Sequence, residues 1–191
     1  MLLDGEGRRT RRSSDACIGR HRDSSARFTA AMHAARSRCG GRCGRASRGA
    51  VPASGLIDTG AILALLDRDD RWHRPCVAAF ASLPLPLATS AAVLAELFHM
   101  VGDSRAEVAA AWRFVHSGAV TVSCIDDADT PHLDALMARY HDRPMDFADA
   151  TLVHLARRES LSTILTVDHD DFETYRIDGR RSFRIVPARG S

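Results

Sequence analysis

The 191-residue sequence contains no lysine; all 26 of its basic residues are arginine. That absence argues against a lysine-dependent phosphate loop, a Schiff-base enzyme and a receiver domain that needs its usual lysine. Cysteine is sparse as well. Cys17, Cys39, Cys43, Cys76 and Cys124 make an odd count without a secretion signal, which points to reduced thiols in a cytosol rather than to a disulfide scaffold. No signal-type apolar segment and no run long enough to span a bilayer is present. His73, His99, His116, His132, His141, His154 and His169 show no HExxH or other paired ligand spacing, so they read as surface or partly buried side chains. His169, between Asp168 and Asp170, is the one placed to touch a substrate.

What is present divides unevenly. Residues 1–50 hold twelve arginines against four acids, a balance of +8, and the remainder holds fourteen against twenty, a balance of −6, which together give the net +2. The segment 1–53 is rich in Arg, Ser, Gly and Ala and has no sustained apolar period beyond a weak 26–36 stretch. It reads as a disordered or mis-annotated N-terminal extension, with translation expected to start near Val51 or at Met32. Its composition is that of a transit peptide only in a loose sense. Cys39-x3-Cys43 with His21 or His33 has near-ligand spacing for zinc, but one such pair without a second is a poor signal.

From residue 54 to 191 the pattern changes to alternating strand and helix. Strands are expected at 56–57, 83–89, 119–125, 163–168 and 183–187. Helices are expected at 59–67, 76–82, 91–101 with Ser90 as cap, 105–116, from Asp126 or Asp127 to about 141, and 145–160. Helices of this length between strands imply crossover connections, hence an α/β fold with a mainly parallel sheet covered on both faces. The stretch 119–125, rich in valine and isoleucine, reads as a buried strand.

Acids gather where such a sheet binds ligands, at the carboxyl ends of its strands. Asp58 and Asp168 end predicted strands, Asp146 and Asp149 stand three apart at a helix start, and Glu96 lies within an otherwise apolar helix flanked by Leu94, Ala95, Leu97 and Phe98. Mutually repelling carboxylates stabilise nothing on their own, so their crowding suggests a divalent cation between them. Each has a plainer reading too. Asp58, Asp146 and Asp149 are good helix-start residues, Glu96 suits an ion pair with arginine, and 168-DHDD-171 suits a solvated acidic loop.

The set 58-DTGAILALLD-67, 93-VLAELFHMV-101, 145-MDFADATLVHLA-156 and 165-LTVDHDDF-172 resembles a PIN-domain ribonuclease, in particular the VapC-like toxins of type II toxin-antitoxin systems. The similarity runs from about Leu56 to Pro187. It implies a three-layer α/β/α sandwich and a metal-dependent endoribonuclease. The resemblance puts the catalytic set on Asp58, Glu96, Asp149 and Asp168, with Asp146 and Asp171 as auxiliary metal residues and Thr59 and Thr166 as neighbouring hydroxyls. It implies Mg²⁺ or Mn²⁺ as cofactor, RNA as substrate, a cognate antitoxin whose C-terminal peptide covers the acids, and a homodimer through surfaces such as 60–66 and 105–116. Since the body is acidic, RNA contacts are expected from Arg71, Arg74, Arg143, Arg176, Arg180 and Arg181. Two other readings stand beside this one: a PIN-like RNA-binding protein without turnover, and an unrelated Mg-dependent phosphohydrolase with Asp58 as nucleophile. The latter lacks the second acid two residues on, where Gly60 stands.

Overall fold

The computed structural model of the chain describes residues 51–143 and 145–189. The weak 26–36 helix, the Cys39 and Cys43 pair, and all but residues 51–53 of the expected extension lie outside the described residues. Five strands, β1 (Leu56–Ile57), β2 (Leu87–Ser90), β3 (Val120–Ser123), β4 (Thr163–Leu165) and β5 (Arg184–Val186), form one sheet in the order β3-β2-β1-β4-β5. Every neighbouring pair is parallel, with Leu56 opposite both Ala88 and Ile164. Parallel pairing requires crossovers, and seven helices supply them. These are α1 (Thr59–Leu66) and α2 (His73–Ser82), then α3 (Ala91–Met100) and α4 (Arg105–Val115), then α5 (Thr130–Arg139) and α6 (Phe147–Arg158), then α7 (His169–Thr174).

Burial shows why the sheet is central. Successive strand side chains point to opposite faces, and Leu56 and Ile57 are both fully buried, as are Leu87, Ala88, Thr89 and Ser90 of β2. Helices therefore cover both faces of the inner strands, giving the three-layer α/β/α arrangement. Helix α6 is the most enclosed, with every residue from Ala150 to Ala156 buried.

Several expectations shift. Stretch 119–125 forms an edge strand instead of a buried one: within β3 only Val120 is buried, while Thr121 and Val122 are exposed. β-Branched residues suit either place, so periodicity alone misplaces it. Strand β2 starts at Leu87, not 83, because Pro84 and Pro86 have no amide to give a ladder. Helix α2 starts three residues early, at His73, since Pro75 is tolerated in a first turn and Asp70 organises the entry. There the Asp70 carboxylate accepts from the Trp72 amide at 2.6 Å, and the Asp70 carbonyl accepts from the His73 amide at 3.0 Å. Helix α5 begins only at Thr130, after a turn in which Asp126 accepts from Ala128 at 3.0 Å. The acidic run after β4 is a short helix capped by Asp168, not an open loop. The proposed contact surface 60–66 is spent on the core, with Ala61, Ile62, Ala64 and Leu65 all buried.

Candidate functional site

Asp58 follows β1 directly and caps α1, its carboxylate accepting from the Thr59 amide at 2.6 Å. Its own amide donates to the Leu165 carbonyl at 3.1 Å, which extends the β1–β4 ladder and brings Thr166 alongside. The Thr166 hydroxyl donates to the second Asp58 oxygen at 2.9 Å and accepts from the Asp168 amide at 2.9 Å. One hydroxyl thus ties together the two strand-end acids. Thr59 makes the matching link on the other side, donating to Glu96 Oε2 at 2.7 Å. Among the described residues no ion pair holds Glu96, so the plainer arginine-pair reading is not what this helix does.

The third group comes from α6. Asp146 caps that helix by accepting from the Asp149 amide at 2.8 Å, which turns the Asp149 side chain toward the strand ends. Tyr175 donates its hydroxyl to Asp149 Oδ2 at 3.0 Å. Sequence reading missed Tyr175, whose only signal is an aromatic just after an acidic helix. Helices α3 and α6 are bolted together by Ser90 and Thr151, whose hydroxyls lie 2.7 Å apart while Thr151 donates to the Ala148 carbonyl at 2.6 Å. Ser90 also caps α3 through the Val93 amide at 3.2 Å, so the helix bearing Glu96 is fixed relative to the helix bearing Asp149.

The outer acids behave differently from the inner ones. Asp168 caps α7 by accepting from the Asp171 amide at 3.1 Å. Arg143 approaches Asp171 at 3.9 Å, and Arg189 bonds Asp170 and reaches Glu173 at 3.3 Å. These arginines hold the Asp170 carboxyl below its usual range. His169 is 6 % exposed, its ring nitrogens lie 3.1 Å and 2.8 Å from the carbonyls of Val167 and Pro187, and it lines a cleft together with Asp168. Of the arginines expected to meet RNA, Arg143 donates to the Asp170 carbonyl and the Thr174 hydroxyl, and Arg176 to the carbonyls of Glu173, Thr174 and Tyr175. Arg181 pairs with Asp178 at 2.7 Å. Arg71 is exposed beside the acids' edge and lines a cleft with Asp168.

Asp58 lies deepest, 7 % exposed, and burial pushes its carboxyl up to about 6 against the lowering pull of Thr166 and Thr59; Glu96 and Asp168 push the same way as burial. Burial, then the charges of Asp146 and Asp58, push Asp149 up to about 8 despite the Tyr175 bond. Glu96, Asp149 and Asp168 each have one oxygen bound by the protein and a second making no hydrogen bond among the described residues. Hard oxygen donors with open positions are what Mg²⁺ or Mn²⁺ requires. The acids share an edge without closing a cage: among the described residues no three candidate ligands stand close enough to enclose an ion.

A family model described as PIN domain matches residues 55–178. The chain is 31% identical over 135 residues to Ribonuclease VapC26 of Mycobacterium tuberculosis, an alignment that spans 69% of this chain and 99% of that protein. It also superposes on the crystal structure of M. tuberculosis VapC20, titled a sarcin-ricin loop cleaving toxin. There the TM-score is 0.55 and the identity 27%, over 61% of this chain and 92% of that one.

Proposed function

The chain belongs to the PIN-domain family, and from that premise we propose that it is a metal-dependent endoribonuclease, the toxin half of a toxin-antitoxin pair, acting in the cytoplasm on RNA phosphodiester bonds. What supports the reading is the hydroxyl network that gathers Asp58, Glu96 and Asp168 at one sheet edge, with Asp149 held beside them by Tyr175. Asp58, Asp149 and Asp168 would hold Mg²⁺ or Mn²⁺, with Glu96 contacting it through water and Asp146 and Asp171 as outer supports. When bound, such an ion supplies a hydroxide-like nucleophile near neutral pH and charge compensation for the leaving oxygen.

The protein's own part is positioning. Thr59 holds Glu96 through one oxygen and leaves its other oxygen open, while Thr166 and the Thr59 amide fix both oxygens of Asp58. Tyr175 fixes Asp149 and keeps its proton, because burial and the adjacent carboxylate raise its hydroxyl well above the ordinary phenol range. A cognate antitoxin would mask the acids with a C-terminal peptide, most simply by placing an arginine where the cation belongs. A homodimer would use α4, where Trp112 is 44% exposed and stacks with Phe98 at 4.5 Å, in place of the buried 60–66 face.

The test is cleavage of RNA by the purified chain with Mg²⁺ or Mn²⁺ and with a chelator. Asp58→Asn and Asp149→Asn should each lower the rate by at least about 10²-fold with secondary structure retained. Metal-independent cutting, or full activity in both variants, would refute the reading.

A further inference from the structure

Next to the acids lies a cleft of about 340 Å³ that the reaction does not account for, lined by Arg71, Trp72 and Arg189 and by the run from Val167 to Asp170. Trp72 is its one large aromatic. The ring is partly buried against the core and packs on His169 with centroids 5.2 Å apart and planes inclined by 32°. The Asp70 turn that starts α2 fixes its backbone. The His169 ring beneath it is itself held by two carbonyls. An aromatic held this firmly offers a flat face at little entropic cost. The Arg71 guanidinium stands 5.9 Å from the Trp72 centroid and is exposed, so it can leave the ring for a phosphate without abandoning a buried partner.

The net charge of residues 51–191 does not favour RNA. The body carries −6, and Arg143, Arg176 and Arg181 are engaged in internal bonds. Base stacking on an aromatic works without net charge and tolerates any sequence, because every base has a π face. Asp168 belongs both to the acid edge and to the cleft wall. A base in the cleft therefore places its backbone beside the reacting acids. We propose that this cleft is a nucleotide subsite: an unpaired RNA base adjoining the scissile phosphate stacks on Trp72, and Arg71 contacts its backbone. The subsite rests on the ribonuclease reading and adds to it a preference for unpaired nucleotides at the cut.

The sequence has two tryptophans, so Trp112→Phe leaves Trp72 as the sole emitter in the full chain. With Asp58→Asn added to stop cleavage, titration with a short single-stranded RNA of mixed sequence should quench Trp72 saturably. The same RNA as a perfect duplex should leave the emission unchanged. Trp72→Leu should weaken single-strand binding about tenfold or more, and Trp72→Phe, which keeps a stacking face, should restore most of it. Quenching in the Trp72 protein is read without altering the platform, so poor folding of the leucine variant does not decide the matter. Emission indifferent to single-stranded RNA, or equal quenching by the duplex, overturns the subsite. Wild-type cleavage with Trp72→Leu equally active overturns the subsite alone, whereas a wild-type chain that neither binds nor cuts RNA overturns the ribonuclease reading with it.

Discussion

Asp149 concentrates the conflict between folding and chemistry. Burial and two neighbouring carboxylates push it up to about 8, and burial pushes Asp58 to about 6, so both bind protons more tightly folded than unfolded, where a carboxyl titrates near 3.9. Raised acid pKa values mean that the stability these two groups contribute in the metal-free protein declines as pH rises through this window and is gone above the higher value. Asp129 and Asp170 are shifted the other way, by backbone and ionic partners, and act only at lower pH. The metal-free protein should thus melt higher at pH 5 than at pH 8, measured by calorimetry with a chelator. Added Mg²⁺ or Mn²⁺ should raise the melting temperature more at pH 8 than at pH 5. Asp149→Asn should flatten the slope and raise the melting temperature at pH 8 by about 2–4 °C, while removing cleavage. A metal-free melting temperature independent of pH from 5 to 8 would contradict this assignment. The four acids were legible because each interrupts an apolar run or opens a helix. Tyr175 and Trp72 were not, since an aromatic beside polar residues looks the same whether it braces a carboxylate, forms a platform or faces water. His154 was equally opaque: read as surface or partly buried, it is 2 % exposed with Nε2 3.0 Å from Asp129.

Elements meet at the acid edge with little slack. A Cβ on Gly60 would stand 2.7 Å from Val167 Cγ2, so the first turn of α1 and the segment after β4 touch where only hydrogen fits. Gly60→Ala should push Val167 away, stretch the Asp58–Thr166 bond and lower cleavage about tenfold, with RNA affinity changed little. Val167→Ala in the same chain should restore most of the rate, and a double variant as slow as the single one would show that steric contact is not the cause. Ser90 is the second joint. Ser90→Ala removes both the α3 cap and the bond to Thr151, and should cost about 1–2 kcal/mol in denaturant unfolding along with part of the activity, because Glu96 loses its fixed relation to Asp149. The Ser90 cap was readable from sequence, since a serine before an apolar helical period is a local signal. Its bond to Thr151 was not, because nothing local links residues 61 positions apart. Strand existence and order of appearance were readable for the same local reason, whereas β3 at an edge and the helical start of 169–174 depend on which neighbours cover them.

At the scale of the molecule, charge is divided as the chemistry would want if one part gathers RNA and another cuts it. Residues 51–191 carry the acids and a negative balance, while residues 1–50 carry twelve of the 26 arginines. Each arginine that meets a phosphate releases counterions, so the steepness with which RNA affinity falls with salt counts such contacts. If 54–191 is the catalytic unit, a chain starting at Val51 should keep its melting temperature and its cleavage rate at saturating RNA. Its affinity should fall, and the slope of log affinity against log salt should shrink by several units relative to the full chain, both measured in the Asp58→Asn background. An unchanged slope would mean that the arginines of the first fifty residues do not touch RNA. A shortened chain that folds but no longer cuts saturating RNA would place part of the active unit before Val51, and the assignment of catalysis to the PIN domain alone would fall.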